Sequence, residues 1–178
     1  WDSDGNLYVG TADGTIYRRS ATADTATMIK SYGKWGSPMR YYDGHLYWYT
    51  KNDTAASAGG TNGLWKAPVP AEGDTISPAT STQILASDDY NPSGLAIDGM
   101  GNTYLMDGWI DADDPTLTQE LVRVTPDGTV ESVYTLPTQN PNKAVWHDNK
   151  LYVAAGNQGN KIYVIYLGPD YGTGAVPQ

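Results

Sequence analysis

Trp1-Asp2-Ser3-Asp4-Gly5-Asn6-Leu7-Tyr8-Val9-Gly10 opens the chain, and Ala96-Ile97-Asp98-Gly99-Met100-Gly101-Asn102-Thr103-Tyr104-Leu105-Met106-Asp107 repeats its plan. Two further segments, Tyr41 to Thr50 and Val145 to Gly156, follow the same order: an apolar or aromatic pair, an Asp turn, then an alternating aromatic strand. Aligned on Leu7, Leu46, Thr103 and Leu151, the four copies stand 39, 57 and 48 residues apart. Polar inserts at Lys51 to Gly63 and Asp107 to Gln119 account for the longer spacings without touching a strand.

Working outward from each Asp turn, four strands lettered A to D are expected per unit. A runs into the turn, as in Gly94 to Ile97; B follows it at Leu7–Val9, Leu46–Tyr49, Tyr104–Met106 and Leu151–Ala154. C is read at Thr15–Arg18, Leu64–Lys66, Leu121–Val124 and Lys161–Val164, and D at Ala26–Tyr32, Thr82–Ala86 and Thr129–Leu136. Period-two alternation, Asp-Gly turns at 13–14, 43–44 and 127–128, and many Tyr, Val, Ile and Thr residues predict antiparallel hairpins and no helix. A repeat near 40 to 50 residues made of such strands is the mark of a β-propeller. The expected fold is all-β, with about four antiparallel blades in units of approximately 1–35, 36–90, 91–140 and 141–178.

The third unit carries a family resemblance. Asn91 to Asp98, then Gly101 to Leu105, then Leu121 to Val130 resembles one blade of an NHL or SMP-30/gluconolactonase-like propeller, most fully over residues 91–137, and Gly156 to Tyr163 resembles a B–C turn of that superfamily. The resemblance implies a scaffold shared by enzymes, adhesins and assembly proteins, so activity must be argued from a site. It also implies, for a lactonase, a Glu metal ligand near the chain start; here the first Glu is Glu72, a departure from that pattern.

The first unit lacks most of an A strand and the fourth has no clear D strand. Gly174-Ala175-Val176-Pro177-Gln178 placed ahead of Trp1 makes a passable A strand, with the last unit then 34 residues from the first. Three arrangements fit: a four-bladed ring closed by strand sharing between the termini, half of a larger ring completed by a second copy, or part of a longer chain. The chain begins at Trp1 without a signal-peptide pattern, which reads as a mature product or an excised piece.

Composition narrows the function. The 178 residues include 20 Gly, 11 Pro, 14 Tyr and 6 Trp, but neither Phe nor Cys. Every aromatic ring therefore carries a hydrogen-bonding edge, and disulfides, thiolate metal sites and a Cys nucleophile are excluded. A net charge of -9 repels polyphosphate, so no nucleic-acid partner is expected. No apolar run approaches a membrane span, so no membrane insertion is expected. No G-x-S-x-G elbow or phosphate loop occurs. Low Lys content and an acidic Asn/Thr/Ser/Gly-rich surface suit an extracellular or cell-surface protein.

Three sets of residues stand out. Asp107, Asp111, Asp113 and Asp114 lie within eight residues and could supply oxygen ligands to Ca2+, although the spacing is not that of an EF-hand loop and a solvated loop of turn residues explains it better. Asp2, Asp43, Asp98 and Asp148 recur once per unit, with His45 and His147 beside two of them, a four-fold repetition that points to turn structure. Trp35 and Trp109 lie in Gly-rich or polar loops and, with Tyr41 and Tyr90, are the expected contacts for a partner; the strand aromatics are expected to pack between blades. The reading is a non-catalytic extracellular binding or assembly module whose ligand is a glycan or a protein. The alternatives are a Ca2+-dependent lactonase-like hydrolase and a structural repeat that assembles by strand exchange through its termini.

Overall fold

The computed structural model describes residues 1–30, 38–50, 62–87, 90, 92–106, 119–136, 141–155 and 161–168. Among them the only helical turn is a single 3-10 turn, Pro78–Thr80; the regular structure is otherwise strand. Sheet 1 contains β1 (Leu7–Gly10), β2 (Ile16–Arg19) and β3 (Thr27–Lys30). Sheet 2 contains β4 (Met39–Tyr42), β5 (His45–Thr50), β6 (Gly63–Pro68) and β7 (Thr82–Ala86). Sheet 3 contains β8 (Gly94–Ile97), β9 (Thr103–Met106), β10 (Gln119–Val124) and β11 (Val130–Leu136). Sheet 4 contains β12 (Pro141–His147), β13 (Lys150–Ala155) and β14 (Lys161–Ile165).

Each sheet is an antiparallel meander in chain order. As the sequence predicts, sheet 1 has no A strand and sheet 4 no D strand among the described residues; the shared strand expected from Gly174–Gln178 lies outside them. Every C–D pair breaks register once, at Ile16/Tyr17, Leu64/Trp65 and Leu121/Val122. A bulge at the same step in three sheets bends the outer strand in the same way each time.

Two kinds of A–B turn alternate along the chain. In sheet 3, Asp98 Oδ1 accepts the amides of Met100 (2.9 Å) and Asn102 (3.0 Å), while Oδ2 accepts Asn102 Nδ2 and the Tyr104 hydroxyl, both at 2.9 Å. Ahead of β1, Asp2 repeats this bond for bond with the amides of Asp4 and Asn6, Asn6 Nδ2, and the Tyr8 hydroxyl at 2.7 Å. In sheets 2 and 4 the equivalent Asp is part of a two-residue turn: Asp43-Gly44 has φ of 45 and 72°, and Asp148-Asn149 has 48 and 57°. Left-handed backbone at both positions matches the right-handed twist of the strands and explains why short polar residues or Gly stand there. The four-fold Asp recurrence thus conceals two mechanisms, a carboxylate cap and a tight turn.

The chain forms two compact units, one built on Trp1–Asp88 and the other on Asp89–Val176. In the first, Tyr8, Ile16 and Ile29 on one face of sheet 1 bury against Leu46, Trp48 and Ala67 of sheet 2. In the second, Tyr104, Met106, Leu121 and Leu136 of sheet 3 bury against Ala144, Trp146, Leu151, Val153 and Ile165 of sheet 4. The register makes these the same contact. Tyr8 stacks on Tyr41 (6.0 Å between centroids, 2° between planes) and Tyr104 on Trp146 (5.2 Å, 9°), while Tyr41 and Trp146 pair across their hairpins with the equivalent Leu46 and Leu151. The capped Tyr is thus held at both ends, its hydroxyl by Asp and its ring by the next sheet. We call the face bearing Tyr8 or Tyr104 the forward face of a sheet and the opposite one its rear face.

Removing a carboxylate strands its four donors, at a cost that scales with burial. Asp98 is wholly buried whereas Asp2 is partly exposed. In urea unfolding, Asp98→Ala is expected to lose about 3 kcal/mol and Asp2→Ala about 1 kcal/mol; equal losses would count against the cap as described.

Acid acts on the same turns. Burial works to raise the pKa of Asp2, but hydrogen bonds from Asn6, Tyr8 and the turn amides outweigh it and hold the carboxyl below its ordinary value. Asp13 and Asp127 are lowered too, first by the hydroxyls of Thr11 and Thr125 and then by the amides of Thr15 and Thr129. Carboxyls depressed in the fold bind protons more readily once unfolded, so stability falls as pH drops below about 4. Urea midpoints measured from pH 6 to 2 should decline over the lower part of that range and stay flat above it.

Candidate binding surface

The turn carboxylates are the obvious candidates for chemistry, and their geometry commits them elsewhere. Both carboxylate oxygens of Asp98 and of Asp2 accept two hydrogen bonds each from donors of their own turns and strands. His45 Nδ1 lies 2.8 Å from Asp43 O, and His147 Nε2 lies 3.5 Å from the Asp148 carboxylate beside the Tyr152 ring. Each His is thus occupied with its own turn and strand. Among the described residues no three His, Cys, Asp or Glu side chains are grouped to hold a metal ion.

A groove forms instead on the connection between β6 and β7. Pro68, Pro70, Asp74, Thr75, Ile76 and Thr80 line a volume of about 350 Å3. Long-range bonds shape it. Arg18, on β2, donates to the carbonyls of Pro70 (2.7 Å) and Ala71 (3.4 Å), and the Ile76 amide donates to Ile29 O at 2.6 Å. Val69 is tied to the A–B turn through Gly44 O at 2.9 Å. At the far end the Ser77 amide donates to Thr80 Oγ1 and the Thr80 hydroxyl returns a bond to Ser77 O, both at 3.0 Å, closing the 3-10 turn. Two prolines and an Ile thus stand beside two Thr and one carboxylate. Such a wall can contact an apolar face and hydrogen-bond a polar rim at once.

Next to the groove's strand, Tyr42 and Tyr47 meet edge to face (6.2 Å, 79°), with Lys66 Nζ 6.0 Å from the Tyr47 ring. Burial, then Tyr42 and Asp43, push the Tyr47 hydroxyl above its ordinary pKa. Of the expected contact residues, Tyr41 is half-buried with one ring face taken by Tyr8 and its hydroxyl accepting the Gly44 amide at 3.2 Å, and Tyr90 is half-buried. Trp35 and Trp109, and the expected Ca2+ ligands Asp107, Asp111, Asp113 and Asp114, lie outside the described residues. The groove is not foreshadowed in the sequence; only the unusual spacing of Pro68, Pro70 and Pro78 hints at a structured connection.

Residues 1–19, the turn cap with β1 and β2, match the family described as strictosidine synthase-like, N-terminal. No curated protein matches the sequence. A nidogen/laminin complex contains a chain similar in structure at 14% identity and TM-score 0.61, over 91% of this chain and 54% of that one. The computationally designed Ika4 protein is similar at 12% identity and TM-score 0.57, over 93% and 88%. TolB from Acinetobacter baumannii is similar at 11% identity and TM-score 0.57, over 97% of this chain and 40% of its own. The fold is a β-propeller. This chain supplies four antiparallel blades of it, two complete and two of three strands among the described residues, and spans about half or less of the nidogen/laminin and TolB chains.

Proposed function

We propose that this propeller chain is a non-catalytic binding or assembly module working outside the cell, with a glycan or a protein as its ligand, and that the groove between β6 and β7 is its small-ligand site. The groove carries the reading. Pro68 and Pro70, backed by Ile76, offer an apolar wall to the C–H face of a sugar ring, while Thr75 and the Asp74 carboxylate reach its hydroxyls, within a volume suited to a ligand of that size. The capped carboxylates support it too, since the best-placed acids are committed to the fold. The NHL- and SMP-30-like blade at residues 91–137 fits a scaffold used for such work, and the Cys-free acidic composition fits an extracellular setting. Titrating isotope-labelled protein with glucose, galactose and N-acetylglucosamine is expected to shift the amides of Thr75, Ile76 and Thr80, and Asp74→Ala to weaken binding about tenfold, the loss of one charged hydrogen bond. If no sugar moves these amides, the glycan assignment fails.

A second reading is a Ca2+-dependent lactonase-like hydrolase, which the likeness of residues 91–137 to an SMP-30/gluconolactonase-like blade implies. That reading predicts turnover of an aliphatic lactone that appears with added Ca2+ and disappears with chelator. Equal rates in both conditions sink it.

A further inference from the structure

The two units obey one packing rule: the forward face of a sheet buries against the rear face of the next, sheet 1 on sheet 2 and sheet 3 on sheet 4. Among the described residues no sheet follows sheet 4 along the chain and none precedes sheet 1. On β2, β6, β10 and β14, register with the preceding strand makes Ile16, Leu64, Leu121 and Ile162 equivalent. The first three are 0% exposed, whereas Ile162 is 71% exposed. Its neighbours on that face are open as well: Val145 and Val164 are exposed, Tyr166 just beyond β14 is exposed, and Tyr152 is half-buried. The next position along the same face is cationic in the other sheets, at Arg18, Lys66 and Arg123, but Val164 in sheet 4. The rear face of sheet 1 offers an apolar row to match, with Val9 and Met28 exposed on either side of half-buried Tyr17, and carries exposed Arg19 at its A–B end.

We propose that the forward face of sheet 4 is a docking surface for the rear face of sheet 1 of a second copy of this chain, repeating between molecules the contact made twice within each. Charge supports this occupant. Lys143, at the B–C end of the sheet 4 face, is an exposed cation, as is Lys150 beside the His147–Asp148 pair at its A–B end. Sheet 1 carries exposed Asp13 in its B–C turn, at the end that matches Lys143, while at its A–B end exposed Asp4 stands with exposed Arg19. The contact is heterologous, so each copy gives one face and receives on the other. It deepens the assembly half of the proposed function and is independent of the sugar groove.

Sedimentation equilibrium of the 178-residue chain over a range of concentrations tests it. The wild type is expected at twice 19.2 kDa or more. Ile162→Glu with Val164→Glu should bring it to the monomer mass, as should Val9→Glu with Met28→Glu, both with unchanged circular dichroism because the replaced side chains are exposed. Mixing the two variants decides the geometry: each retains one intact face, so the mixture should form a one-to-one pair and go no further. Lys143→Glu, which sets a carboxylate against Asp13 at the B–C end, should weaken assembly severalfold. A wild type that stays at 19.2 kDa throughout overturns the proposal, as does assembly that survives both double variants, or a mixture that stays monomeric. Sugar-induced shifts at Thr75 to Thr80 that persist in the Ile162→Glu, Val164→Glu protein would show that loss of assembly leaves the groove reading intact.

Discussion

A tyrosine held at both ends is the contact on which each unit depends. Asp98 and Asp2 each gather four donors, and one of them is the hydroxyl of a Tyr whose ring then stacks on the first strand of the next sheet. A buried carboxylate is tolerable only when such donors are present, and the donors are in place only when the turn is closed. Turn closure, strand start and sheet stacking are therefore one event rather than three. This explains the preference for Tyr over Phe at these steps: a Phe ring could stack but would leave an acceptor on Asp98 without its partner.

The strands were legible because what specifies them is local. Gly94–Ile97 and Thr82–Ala86 occur where alternation and turn residues place them, and most others differ by a residue or two at the ends. The C strand of the second unit is longer than read, Gly63–Pro68 rather than Leu64–Lys66, because a Gly and a Pro resemble breakers in sequence yet fit at strand ends. The partners of Tyr8 and Tyr104 were not legible, since they depend on register across sheets. Tyr41 is an instance of the same limit: its sequence context gives no sign of the Tyr8 ring stacked on it.

The groove was hidden by distance along the chain. Its wall is held by Arg18 reaching carbonyls 52 and 53 residues away and by Ile76 pairing with Ile29, none of which leaves a periodic trace. Repetition also misled in one respect. Four Asp residues in one column looked like one device, but side-chain acceptance at Asp2 and Asp98 and backbone handedness at Asp43 and Asp148 are different solutions to reversing a chain.

That difference falls into a strict order. Carboxylate-capped turns occupy the first and third sheets and left-handed two-residue turns the second and fourth, so the period of the architecture is twice the period of the strands. Growth or loss by a single sheet would therefore leave either a capped Tyr with no ring to rest on or an aromatic hairpin with nothing stacked upon it.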